Sequence, residues 1–416
     1  ALLPKKSRGA SVNAMITLRF GNAQTLEGRG DALQAAAALL TRGTTRYTRQ
    51  QLTDTLNALK SRMTTSGSGP FVTVSIQSTR EHLAAVLALA DEVLRHPAFD
   101  STEFSAYVDQ QLSQLEAQSK DPNTLAILGI QNTLAAYPAG DPRHVGTIDE
   151  EVAAVKALSV AKVRQAYHDF FGAGAGEIAV VGDFDTTAVR AQLDTMFAGW
   201  KSPAPYTPLV SRFFPLEASR QKINTPDKAN AMFAAGATFP MTDHDADYAA
   251  MQLANYMLGG TALTSRLTQR IRVKDGLSYA TQSVFAADSR VPTAMFIAVA
   301  IHAPQNGDKV ADDFFDVIDS TRAHGFTADE LAKAKTGLLQ MNRLIRSQDG
   351  ALAGQFVNNM LLGRTMQFQA DEDQHIEDAT LDQVNAAFRK YVDPSRIVVV
   401  WAGDEAKANA PAPIKP

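Results

Sequence analysis

Only histidine, aspartate and glutamate could hold a metal in this 416-residue chain, because it has no cysteine. Disulfides, thiolate ligands and cysteine nucleophiles are excluded together. The histidines stand at 82, 96, 144, 168, 244, 302, 324 and 375, too far apart for two to share one face of one helix. A two-histidine zinc helix is therefore excluded. Glu92 and His96 lie four apart on a predicted helix, but a third ligand would have to come from elsewhere. A solvated helix end, with His96 near the terminal carbonyls and before Pro97, explains them without a metal. Gly276-Leu277-Ser278-Tyr279-Ala280 has the letters of a nucleophile elbow with alanine last, yet an elbow follows a strand and leads into a helix, and here that order is reversed. Gly172-Ala173-Gly174-Ala175-Gly176 resembles a phosphate loop but leads into a strand, and reads as a flexible turn. Asp371-Glu372-Asp373 with Glu377-Asp378 reads as a solvated acidic face.

The constellation that remains is Ser265 to Tyr279. Leu263, Leu267 and Ile271 are spaced by four and predict a helix, and Asp275-Gly276 supplies a glycine at its C-cap. The chain then turns extended. Arg272 falls in the last helical turn and Tyr279 near the start of the strand, so the turn between them can bring a fixed cation and a phenol toward one point. Read alone, Arg272 is equally a solvated charge at the negative end of a helix dipole, and Tyr279 a half-buried strand aromatic.

Long-range repetition sets the elements that position this segment. Asn13-Ala14-Met15 opens an extended stretch ending in Phe20, and Asn230-Ala231-Met232 opens another ending in Phe239. Phe99, Glu103 and Phe104 return as Phe326, Glu330 and Leu331, each set beginning a long helical pattern. Val163, Ala166, Tyr167 and Phe170, followed by Gly182-Asp183, return as Val384, Ala387, Phe388 and Tyr391, followed by Gly403-Asp404. Two related halves are expected, 1–203 and 204–416, joined near the proline-rich Trp200 to Pro205. Val72, Val74 and Ile76 alternate with polar residues as a half-buried strand does, while Leu83, Val86, Leu87, Ala90, Val93 and Leu94 recur at helical spacing. Ile178 to Val181 and Ile397 to Val400 are short β-rich runs closing each half. Each half is thus α+β, with strands and helices segregated rather than strictly alternating.

Composition is that of ordinary soluble globular protein, 45% hydrophobic and 20% charged. A net charge of −4 implies no nucleic-acid partner. The longest apolar run falls far short of the ~20 residues that cross a bilayer, so no membrane span is expected. The proline-rich stretch Asn409 to Pro416 reads as a tail. The opening at Ala1-Leu2-Leu3-Pro4 fits a chain entered partway through a first strand, which suits trimming, disorder or cleavage from a longer polypeptide alike.

Ser265-Arg266-Leu267, Arg272 and Gly276-Leu277-Ser278-Tyr279, preceded by Leu258-Gly259-Gly260, resemble the C-terminal-domain signature of the pitrilysin/insulinase (M16) zinc metallopeptidases. Leu40-Thr41-Arg42-Gly43-Thr44 resembles the segment that follows the family's zinc helix. Where active members carry His-x-x-Glu-His, this chain reads Gln34-Ala35-Ala36-Ala37-Ala38. The third ligand would fall near Gln114, beside Ser113, and Glu116 could not hold zinc alone. The resemblance implies a clam-like half of a peptidase whose zinc sits on a partner subunit carrying HxxEH and not on this chain. It implies Arg272 and Tyr279 as the catalytic pair, with Tyr279 donating to the scissile carbonyl as it becomes an oxyanion and Arg272 holding a neighbouring peptide carbonyl. The substrate would be an extended peptide added to a sheet edge. An inert scaffold or a peptide-binding subunit of a larger complex is the alternative. The absent cysteines and initiator methionine, with the resemblance, lean toward a bacterial periplasm.

Overall fold

A computed structural model describes residues 1–261 and 263–409. Most of the expected tail, 410–416, lies outside the described residues. Among the described residues, ten strands form two five-stranded sheets. The first holds β1 (Leu2–Pro4), β2 (Ser11–Arg19), β3 (Arg62–Ser68), β4 (Phe71–Thr79) and β5 (Gly176–Gly182), in the order β1-β5-β2-β4-β3. The second holds β6 (Arg220–Asn224), β7 (Ala231–Phe239), β8 (Ser278–Ala287), β9 (Ala294–His302) and β10 (Val398–Gly403), in the order β6-β10-β7-β9-β8. The two orders are one topology used twice. In each, the short edge strand runs parallel to its neighbour and every other pairing is antiparallel. The architecture is α+β, and the sequence repeats fall on matching elements: Phe99 and Phe326 precede the long helices Ser101–Gln118 and Ala328–Ser347, and Val163 and Val384 lie in the helices Val160–Phe170 and Leu381–Tyr391.

Each sheet buries one face under its own helices, as the alternation of Val72, Val74 and Ile76 requires; all three are at most 1% exposed. The second face is covered in part by a helix from the other half. Ala126, Ile130 and Leu134 of the helix Pro122–Leu134 pack on Met232, Ala234, Val398 and Val400 of β7 and β10. Reciprocally, Ala353 and Val357 of the helix Asp349–Leu361 pack on Ala179 and Val181 of β5. Burial on both faces explains why β7 and β10 read as continuous apolar runs. Close approach depends on glycine: a Cβ on Gly129 would stand 3.0 Å from a Val400 methyl, and one on Gly236 3.0 Å from a Leu134 methyl. The halves are therefore interlocked.

Two local expectations change. The glycine run at 172–176 is no free turn, because the chain at 200–202 crosses it so closely that a Cβ on Gly172 would lie 2.2 Å from the Ser202 nitrogen. The Ala173 amide donates to the Trp200 carbonyl at that crossing. The apolar stripe at 263, 267 and 271 does not form a regular α-helix either. Leu263 is 62% exposed, and Thr268–Lys274 winds as a π-helix, with i→i+5 bonding that shifts the side chains around the axis.

Candidate active site

The segment Ser265 to Tyr279 contains three arginines, and packing separates them. Arg266 makes a two-pronged pair with Glu330, both contacts at 2.7 Å, and also donates to the Gly325 carbonyl and lies over the Phe326 ring. Arg270 pairs with Asp313, Asp275 and Asp316. Arg272 is exposed and has no hydrogen-bond or ion-pair partner among the described residues. Leu267, Thr268 and Ile271 are at most 1% exposed, which fixes the short helix on the sheet, and the Thr268 hydroxyl meets that of Thr281 at 2.6 Å. Gly276 closes the helix in the left-handed conformation, φ 63°, and the Leu277 amide reaches back to the Ile271 carbonyl. The C-cap read from the sequence stands.

Tyr279 sits in a β-bulge. Ser278 pairs with His302 and Ala280 with Ile301, so Tyr279 is the extra residue on the edge strand β8. Bulges re-aim a side chain, and this one leaves the tyrosine 56% exposed with no protein partner among the described residues. Ser278 holds the bulge: its hydroxyl lies 2.6 Å from the Ile301 carbonyl and accepts from the Ala280 amide. It is buried at the start of a strand after a helix, as the exclusion of a nucleophile elbow requires. A π-helix and a bulge thus flank one turn, each presenting an unpaired polar group. A guanidinium and a phenol so placed can donate to carbonyl oxygens, and neither can activate water alone. The outer edge of β8 is partly taken, since the Ser283 amide donates to the Gly259 carbonyl at 2.9 Å. A peptide strand added to β8 would meet the chain there.

The first half has no counterpart. In the helix Gly30–Leu39, Gln34 is exposed, Ala38 partly so, and Ala37 is 1% exposed. Ala37 faces Gly67 of β3 so closely that a Cβ on that glycine would lie 2.6 Å from the alanine methyl, and the Thr65 hydroxyl donates to the Ala37 carbonyl. Gln114 and Ser113 are exposed, and Glu116 pairs with Lys120. No group of three or more potential ligands exists among the described residues. Zinc does not fit the residues that stand at the motif positions. Nearby, Asp31 and Glu151 both have carboxyls raised by burial, and Glu151 additionally by Asp31. Sequence reading missed this pair because its members are far apart along the chain.

Two other expectations are corrected. Glu92 is not solvated but 8% exposed, with Arg46 at 3.9 Å. The acidic run at 371–378 is no plain solvated face. Glu372 is half-buried, and burial, then the nearby Asp243 carboxylate, push its carboxyl up to about 7. Asp373 pairs with Arg346, and a cavity of about 410 Å³ opens beside Glu372, His375 and Asp243.

Residues 157–338, which include Arg272 and Tyr279, match the family model described as the peptidase M16 inactive domain. That segment is thus M16-like. A relative from Helicobacter pylori, named non-peptidase homolog YmxG, is 21% identical over 77% of this chain and 72% of that protein. The crystal structure of a peptidase M16 inactive domain from Pseudomonas fluorescens superposes with a TM-score of 0.84 at 21% identity, covering 97% of this chain and 94% of that one. The periplasmic protease PqqL from Escherichia coli has a TM-score of 0.74 at 15% identity, with 96% of this chain covered and 44% of PqqL. The M16 fold is therefore present throughout the described chain. No described helix is long and apolar enough to cross a membrane.

Proposed function

We propose that this chain is the zinc-free subunit of a heteromeric M16 metallopeptidase and lends Arg272 and Tyr279 to an active site completed by a partner carrying HxxEH. The observation that carries the proposal is the contrast within one segment: Arg266 and Arg270 are committed to ion pairs, while Arg272 and Tyr279, on a π-helix and a bulge, are exposed and have no partner among the described residues. Backbone irregularities of this kind gather at functional sites. In the assembled site the Tyr279 phenol donates to the oxyanion that forms from the scissile carbonyl, and Arg272 holds a neighbouring carbonyl of an extended peptide. Zinc belongs to the partner, since Gln34, Ala37 and Ala38 supply neither ligand nor base. The chain is read as two M16-like domains, 1–203 and 204–416, working in a bacterial periplasm.

A second reading is favoured by one observation, the H. pylori relative's description as a non-peptidase homologue. In it the chain is an inert M16 scaffold or a peptide-binding subunit. Metal analysis and cleavage of a quenched, unstructured peptide separate the two. The shared-site reading requires no stoichiometric zinc and no cleavage by this chain alone, with cleavage by its complex with the native partner. A zinc-loaded complex that binds but does not cut the peptide would establish the second reading.

A further inference from the structure

The turn carrying Arg272 and Tyr279 is tied to the helix Gly307–His324 by a charged cluster that peptide chemistry does not itself require. The Arg270 guanidinium lies 2.9 Å from Asp275, 2.8 Å from Asp313 and 3.3 Å from Asp316. Asp313 is 6% exposed, and its Oδ2 is sealed from solvent without a hydrogen-bond donor. Three carboxylates surround one guanidinium, which ties Asp313 and Asp275 to each other through Arg270. Burial, joined by the Asp275 carboxyl, raises Asp313 above its ordinary value against the pull of Arg270. On the other side of the turn, the Asn306 side chain donates to the Leu277 carbonyl at 3.2 Å and makes no cap bond to its own helix. Arg272 and Tyr279 have no partners of their own among the described residues, so their relative placement depends on the main chain between them. That main chain is held at Asp275 and at Leu277.

We propose that Asp313, acting through Arg270 and Asp275, is a positioning residue that fixes Arg272 and Tyr279 relative to each other. Its role in catalysis rests on the shared-site reading; its role in geometry does not. A displacement of roughly 1 Å at a reacting group can cost about 100-fold in rate, so a tie of this kind has a measurable consequence.

The test places 3-fluorotyrosine at position 279 of the full chain and records its fluorine resonance. The parent should give one narrow line. Asp313→Asn should keep it, because the amide oxygen still accepts from Arg270. Asp313→Ala should shift, broaden or split it, and an unchanged line would overturn the proposal whatever the enzyme does. If Asp313→Ala fails to fold, pH decides: the parent's line should move as Asp313 loses its proton, with Arg270, Asp275 and Asp316 the charges facing it, while Asp313→Asn should show no such step. The same step in both would refute the tie. In the active complex, Asp313→Ala should lower kcat about 10- to 100-fold with KM little changed. In a Tyr279→Phe background the same change should cost less than about twofold, because the two act through one group. Equal losses in both backgrounds would reduce Asp313 to a structural residue. If Tyr279→Phe itself has no effect, the shared-site reading fails while the fluorine spectrum still decides the positioning.

Discussion

Rebuilding the missing zinc motif should damage the fold before it restores any chemistry. Position 37 is where the general base would stand, and Ala37 is 1% exposed, its methyl close against Gly67 of β3. Ala37→Glu adds four heavy atoms beyond Cβ where the strand leaves no room, and overpacking of that kind costs about 1–3 kcal/mol. The carboxyl finds no counter-ion there and must stay protonated, or else push the strand aside. Holding a glutamate neutral at pH 7, against an ordinary value near 4.3, costs about 4 kcal/mol at 1.36 kcal/mol per unit. The sum is about 5–7 kcal/mol at pH 7. At pH 5 the protonation part shrinks to about 1 kcal/mol, so the damage should ease as pH falls. Urea unfolding of parent and variant at pH 5 and pH 7 reads both terms. A loss below about 1 kcal/mol that does not change with pH would show an open, hydrated pocket. Stoichiometric zinc in Gln34→His/Ala37→Glu/Ala38→His would refute the closure outright.

Other consequences are more local. Glu372 is raised from the ordinary 4.5 to about 7. A carboxyl raised by folding contributes stability below its unfolded value, and that contribution is lost as pH rises through the folded one, here between about 4.5 and 7. Glu372→Gln should therefore match the parent at pH 4 and be more stable at pH 8 by up to about 3 kcal/mol, read by thermal unfolding; a parent that does not weaken over that range would contradict the assignment. Arg266→Ala should cost about 3 kcal/mol in denaturant titration, because it strands Glu330 and the Gly325 carbonyl together. Burial alone would raise the Glu330 carboxyl, but Arg266 and Thr327 hold it below its ordinary value, so that loss should begin to shrink below the ordinary 4.5 and keep shrinking as pH falls through the lowered folded value. A loss equal at pH 4 and pH 7 would point to lost packing on Phe326 instead.

What the sequence disclosed was whatever depends on neighbours in the chain or on repetition. The alternation at Val72 to Ile76, the return of Phe99 as Phe326 and of Val163 as Val384, and the glycine at 276 each carry a local rule, and each landed on its element. The π-helix was hidden, because residues spaced by four at 263, 267 and 271 look the same whether the ladder bonds four or five residues back. The exchange of helices between sheets was hidden too. Ala126, Ile130 and Leu134 form an apolar face whichever sheet they cover. Glu372 read as solvated because Asp243 and the helix burying it are more than 100 residues away or outside any local window. At the candidate site, residue types and spacing left Arg272 and Tyr279 open, and the resemblance to the M16 signature is what implied them as a pair. Only packing separates Arg272 from Arg266 and Arg270, whose carboxylate partners Glu330 and Asp313 lie on other helices.

The proposed shared active site is tested most directly by Tyr279→Phe in the proposed complex with a zinc-carrying partner. The substitution removes one hydroxyl from an exposed side chain, so folding, assembly and zinc content should match the parent. Cleavage of a quenched extended peptide should then fall about 100- to 1,000-fold in kcat, the usual loss for one oxyanion donor. A variant complex as fast as the parent would contradict the shared site and leave Tyr279 a solvent-exposed strand aromatic.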